Sequence, residues 1–165
     1  MNDDVGESVK KRKHGRFPYT RMSLEYIRAQ GRIPEIVERL IPTGQSFPKR
    51  HDAWGVFDIM WVDPATKEMG FVQTTSWQQR SAHKKTIISL STEGDTALVL
   101  QVLLARRDTH VELYGWRKDD HNKWEISVER LECIHELLGD RLQFVAVDAP
   151  SMKEVRAQAR ARDDF

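Results

Sequence analysis

With 26 Lys/Arg against 25 Asp/Glu in 165 residues, the chain is neither globally basic nor globally acidic, and it is long enough for one domain with a substantial core. A single cysteine, Cys133, excludes an intrachain disulfide, a cysteine-rich zinc centre and a CxxC redox pair. The longest apolar run, Ala97 to Ala105 interrupted by Gln101, is too short to cross a bilayer, and no apolar signal core opens the sequence, so the expectation is a soluble, cytoplasmic protein with no membrane partner.

Charge is unevenly spread. Residues 1–50 hold eleven Lys/Arg against six Asp/Glu, densest at Lys10-Lys11-Arg12-Lys13-His14-Gly15-Arg16. Residues 1–20 are polar, basic and broken by Gly15 and Pro18, which predicts a disordered arm. Lys10, Lys11, Arg12 and Lys13 would suit backbone phosphates, and an arm of that kind can stay disordered until it meets nucleic acid.

From Ser23, a plausible N-cap, Leu24, Ile27, Ile33, Ile36, Val37, Leu40 and Ile41 recur at helical spacing. Gly31 divides them, and Pro34 suits the first turn of a second helix, which Pro42, Gly44 and Pro48 end. Residues 54–77 predict a hairpin: Val56-Phe57-Asp58-Ile59-Met60-Trp61 and Gly70-Phe71-Val72-Gln73-Thr74-Thr75 flank the turn Asp63–Glu68. Residues 78–88 and 95–106 predict helices, Asp95 capping the second. Residues 111–116 and 124–128 alternate as half-buried strands around a turn at 118–122. Leu131 to Leu138 predicts a short helix closed by Gly139, Leu142 to Val147 a strand, and Met152 onward a helical tail. Gly115 is expected to act, like Gly139, as punctuation. The organisation expected is an arm over 1–20, a domain over 21–150 and a tail over 151–165. Its class is α/β in the α+β sense, a small mixed sheet with flanking helices.

Each hairpin strand interrupts an apolar run with one polar side chain, Asp58 in the first and Gln73 in the second. Such residues are not buried without a partner, and antiparallel pairing would bring them together as ligands of a divalent cation must be. Gln73 has a second reading, as a buried amide tying the strands. The five tryptophans, Trp54, Trp61, Trp77, Trp116 and Trp124, all fall in the sheet region and suit its core, although Trp77 is also placed to stack on a base. His83, His110 and His121 have no zinc-ligand spacing.

The order helix, strand bearing Asp58, strand bearing Gln73-Thr74-Thr75, helix and further strands resembles the core of the PD-(D/E)XK nuclease superfamily over roughly residues 23–128. Asp52-Ala53-Trp54-Gly55-Val56-Phe57-Asp58 and Gln73-Thr74-Thr75-Ser76 are similar to the Asp-x-x-Gly-x-x-Asp and Gln-x-Thr-Ser of small phage-type members. The resemblance implies a restriction-endonuclease-like core, Mg²⁺ or Mn²⁺ as cofactor, DNA as substrate and a homodimer as a common assembly. It implies metal ligation by Asp58 and Gln73, with Glu38 or Asp52 as a further ligand. Gln73 and Thr75 replace the family's acidic residue and lysine, so the catalytic set becomes Asp58, Gln73, Thr75 and a migrated cation. Lys84 is the first choice for that cation, with Arg80 and Lys85 as alternatives, and all three also suit phosphate contacts. The counter-readings are a nucleic-acid-binding protein of the same fold without hydrolysis, and an accessory protein of a phage or mobile element that binds a protein partner.

Overall fold

Pro18, with no N–H to leave unpaired in a first turn, opens helix α1 (Pro18–Ala29). The computed structural model describes residues 18–37, 39–41, 49–92, 94–136 and 139–163; the basic arm Lys10–Lys13 and Glu38 lie outside them, as do Pro42, Gly44 and Pro48. Thr20, Met22, Ser23, Leu24, Tyr26 and Ile27 form the buried face of α1, while Arg21, Glu25 and Arg28 stay outside. Ser23 is therefore no N-cap: it lies mid-helix, fully buried, and accepts a 2.8 Å hydrogen bond from the Trp116 indole N–H. Gly31, at φ 85°, closes the helix in the left-handed conformation, and the Arg32 N–H reaches back to the Ile27 carbonyl at 3.3 Å.

The second helix expected over 33–41 is absent. Ile33–Ile36 is strand β1, paired antiparallel with β4 (Ile59–Asp63), and Arg39–Ile41 is β2, paired with β3 (Lys49–His51) in a separate ladder. The helical spacing of the apolar residues is overridden by the open edge of β4, which β1 covers. Pro34 is compatible with that role because β1 is itself an edge strand.

The hairpin forms as expected, β4 pairing antiparallel with β5 (Glu68–Ser76). Strand β5 is buried continuously from Gly70 to Thr75, which marks it as central. Helices α2 (Arg80–Leu90) and α3 (Gly94–Leu104) then carry the chain to β6 (Thr109–Lys118), which lies parallel to β5. The sheet continues through β7 (Trp124–Glu136) and β8 (Gly139–Val147), both antiparallel, giving the order β1-β4-β5-β6-β7-β8. Of the helix expected over 131–138, residues 131–136 are instead the second half of β7, and 137 and 138 lie outside the described residues. Leu131 and Ile134 have helical spacing, but pairing with β8 holds residues 131–136 extended, beyond the end of the β6 ladder at Arg130. Helix α4 (Met152–Asp163) follows.

The sheet separates two cores. Tyr26 and Ile27 of α1 and Met152 and Val155 of α4 cover Ile59, Trp61, Val72, Tyr114, Trp116 and Val128. Ile87 of α2 and Leu100 and Leu103 of α3 cover Phe71, Val111, Leu113, Leu131 and Phe144 on the other face. No single helix among the described residues is long and apolar enough to cross a membrane.

A polar network is sealed into the first core. The Glu112 side chain, 2% exposed, accepts on Oε2 from the Trp61 Nε1–H (3.2 Å) and the Tyr114 hydroxyl (3.0 Å), and on Oε1 from Arg130 Nη2 (3.2 Å). Gly70 faces Trp61 across β4 and β5, and a Cβ there would overlap the indole, so the glycine makes room for the ring that reaches Glu112.

Tyr26 packs edge-on against Tyr114, and burial followed by the nearby Glu112 charge pushes the Tyr26 phenol up to about 12. The same two causes raise Tyr114 well above its ordinary value of 10. Because both folded values exceed the unfolded one, their contribution to stability is complete below about pH 10 and is lost as pH climbs toward 12. For Tyr26 alone that contribution is on the order of 2 kcal/mol. Urea midpoints should therefore fall from pH 10 upward, with phenolate absorbance appearing late in the folded protein. All three tyrosines ionising near pH 10 while the chain is folded would refute this.

Candidate functional site

The loop between β3 and β4 is a tight one. Ala53 bridges Phe57 with reciprocal backbone bonds of 3.0 and 3.1 Å, and Trp54 and Gly55 turn the chain between them at φ 52° and 75°. The turn delivers Asp58 to the mouth of the sheet. Its N–H donates to the Val72 carbonyl and its carbonyl accepts from the Val37 N–H, both at 3.0 Å, so its backbone is held between β1 and β5. The register of the hairpin pairs Ile59 with Val72, which sets Asp58 opposite Gln73.

The two side chains meet as expected. Asp58 Oδ2 accepts from Gln73 Nε2 (2.8 Å), the Thr74 N–H (2.7 Å) and the Thr74 hydroxyl (2.8 Å). Gln73 Nε2 also donates to the Thr74 carbonyl at 3.3 Å. Asp58, Gln73, Thr74 and Thr75 are all less than 10% exposed. The amide nitrogen of Gln73 thus sits between two oxygens, the Asp58 carboxylate and the Thr74 carbonyl. Turning the amide about its last torsion would present Oε1 there instead, making a set of three oxygens of the kind hard cations take. The Thr75 hydroxyl is buried and has no hydrogen-bond partner among the described residues.

These residues line a cleft of about 260 Å³ together with Asp52, Tyr19, Thr20, Ser76, Gln79 and His83. Asp52, Asp58, Gln73 and Thr75 are therefore brought together. Among the described residues, no three His, Cys, Asp or Glu side chains gather as a metal-holding group. Any cation here would depend on Asp58 for charge and on amide, carbonyl and water oxygens for the rest of its shell.

The expected migrated cations are placed differently. Lys84 Nζ lies 2.6 Å from Glu129 Oε2, and Lys84 and Lys85 line a separate groove with Ser81, Arg141 and Phe144. Arg80 donates from Nη1 to Ser127 (2.7 Å) and to the same Glu129 (3.3 Å), and from Nε to the Trp77 carbonyl (3.1 Å). Glu129 on β7, 7% exposed, thus holds both cations on the helix side of the sheet. Gly115 is not punctuation but the interior of β6, and a Cβ there would overlap the Arg80 stem.

Helical geometry explains the division. Gln79 and His83 are one turn apart and share a face directed at the cleft, whereas Arg80 and Lys84, rotated by about 100°, share the next face and meet Glu129. That four-residue spacing in Gln79-Arg80-Ser81-Ala82-His83-Lys84 is the sequence signal that marks His83, which has no zinc-ligand pattern. Tyr19 and Thr20 reach the cleft because α1 begins at Pro18, inside the span expected to be disordered.

No family model, curated protein or solved structure matches this chain.

Proposed function

We propose that the chain is a divalent-metal-dependent nuclease-like domain of the PD-(D/E)XK kind that hydrolyses DNA phosphodiester bonds at the Asp58 cleft. The observation that carries this reading is the cross-strand meeting of Asp58 and Gln73 at a cleft mouth, beside a buried Thr75 hydroxyl that has no partner among the described residues. The strand order supports it as well: an antiparallel β1-β4-β5 unit is joined through helices to a parallel β6, as the resemblance requires. In this reading Asp58, Gln73 Oε1 and the Thr74 carbonyl hold Mg²⁺ or Mn²⁺, with Asp52 on the rim. The cation supplies charge neutralisation at the phosphate and a more acidic bound water. His83 is the titratable group of α2 that faces the same space.

A second reading has its own observation. The Gln73 amide ties Asp58 to β5 as it stands, and Glu129 occupies Lys84 and Arg80. A protein of this fold that binds nucleic acid without cutting it would show the same two features. Incubating supercoiled, linear and branched DNA with the protein in Mg²⁺, Mn²⁺, Ca²⁺ and EDTA separates the readings. The nuclease is expected to cut in Mg²⁺ or Mn²⁺ and to be silent in EDTA. DNA that is bound in all four conditions and cut in none would replace it with the binding protein.

A further inference from the structure

Beside the cleft, at the end of the sheet, one indole carries two guanidinium groups. Arg80 Cζ lies 3.7 Å and Arg117 Cζ 4.1 Å from the centroid of the Trp77 ring. The two arginines differ in what remains of their bonding. Arg80 is fixed by the Trp77 carbonyl, Ser127 and Glu129, and its stem lies against Gly115. Arg117 is half-exposed, at 46% of its side chain, and gives Nε to Glu125 at 2.7 Å. Its Nη groups make no hydrogen bond among the described residues.

We infer that Arg117, braced on Trp77, is a phosphate contact for the nucleic-acid strand that enters the cleft. The inference rests on the function proposed above and adds to it the surface along which substrate arrives. A guanidinium stacked on an aromatic face is held in orientation while its edge stays available, and that edge matches two phosphate oxygens. Position supports the assignment. Trp77 stands in the chain between Ser76 and Gln79, which both line the cleft, so the indole that braces Arg117 belongs to the segment that walls it. Lys118, next on β6, takes the opposite face of the sheet, where its ammonium lies 5.3 Å from the Trp124 ring centroid and Trp124 packs edge-on against Tyr19 of the cleft wall.

The test is binding of a dye-labelled oligonucleotide, single-stranded and as duplex, in EDTA to prevent cleavage, followed by anisotropy over a range of salt. Arg117→Ala is expected to weaken binding about tenfold and to lower the salt slope by about one. Arg117→Lys should restore the slope but only part of the affinity, because charge returns without the stacked fork. The control is Arg107→Ala, which removes the same charge from an exposed turn at the opposite end of β6 and is expected to have little effect. Wild-type binding with an unchanged slope in Arg117→Ala, or an equal loss in Arg107→Ala, would overturn the contact while leaving the proposed function standing. Failure of the wild type to bind either oligonucleotide would overturn the contact, while the proposed function is judged separately by cleavage in Mg²⁺ or Mn²⁺. A larger loss on single strands than on duplex identifies unpaired nucleotides as what crosses the ridge, and equal losses identify the duplex backbone.

Discussion

Asp58→Asn is expected to reduce metal-dependent DNA cleavage by at least about 10²–10³-fold while leaving the protein folded and DNA affinity nearly unchanged. The asparagine is more informative than alanine because of what Asp58 does structurally. Its Oδ2 accepts from the Thr74 N–H, the Thr74 hydroxyl and the Gln73 amide. Alanine would strand those donors in a buried place, at about 1–3 kcal/mol for each one left unpaired, and lost activity could then be blamed on lost structure. Asparagine keeps an oxygen for the Thr74 N–H and removes the one charge that the proposed cation would need. Rates should be measured in Mn²⁺ and Mg²⁺ alongside thermal melts with and without metal. Wild-type cleavage by a folded Asp58→Asn protein would remove Asp58 from the chemistry and with it the proposed metal site.

Why the Asp58–Gln73 pair was legible while its surroundings were not is a matter of range. A hairpin is local: two apolar runs and the turn Asp63–Glu68 place the strands opposite each other, and one polar residue in each run does the rest. Helices α2, α3 and α4 and the strands around the 118–122 turn were legible for the same reason, since their signals lie within a few residues. Strand β1 was not. Its residues have helical spacing, and only the open edge of β4, more than twenty positions away, makes them extend. The second half of β7 is the same case, held by β8 against its own periodicity. At the site, the residue types around Lys84 were visible but their facing was not. Which of Gln79, Arg80, His83 and Lys84 turns inward depends on Glu129, on a strand 45 residues beyond Lys84. Composition could identify a surplus of cations in that segment. It could not show that a buried carboxylate would claim two of them.

Glu112 is where the largest loss of stability is expected: Glu112→Ala should destabilise the fold by about 3–5 kcal/mol, a large part of what a domain of this size possesses. The carboxylate lies in the middle of β6 under α1 and accepts from three donors, the Trp61 indole, the Tyr114 hydroxyl and the Arg130 guanidinium. Removing it leaves two buried neutral donors unpaired and a cation without its counter-charge. Arg130 is 29% exposed on its side chain, so water recovers part of its loss, whereas Trp61 is fully buried and recovers none. If the unpaired charge is a main part of the cost, Glu112→Leu combined with Arg130→Met should be less destabilising than the sum of the two single changes, because the pair is then removed together. If the stranded Trp61 and Tyr114 donors dominate, the double variant will gain nothing over Glu112→Leu. Urea unfolding of the wild type, Glu112→Ala, the two single variants Glu112→Leu and Arg130→Met and their combination, followed by tryptophan fluorescence at neutral pH, decides between these outcomes. A Glu112→Ala midpoint close to that of the wild type would show that the network carries little of the stability. The same variant links to the alkaline behaviour. With the Glu112 charge gone, Tyr26 and Tyr114 lose the second cause of their raised values and keep the first, burial. Their phenolate absorbance should then appear at lower pH than in the wild type, yet still above the ordinary value.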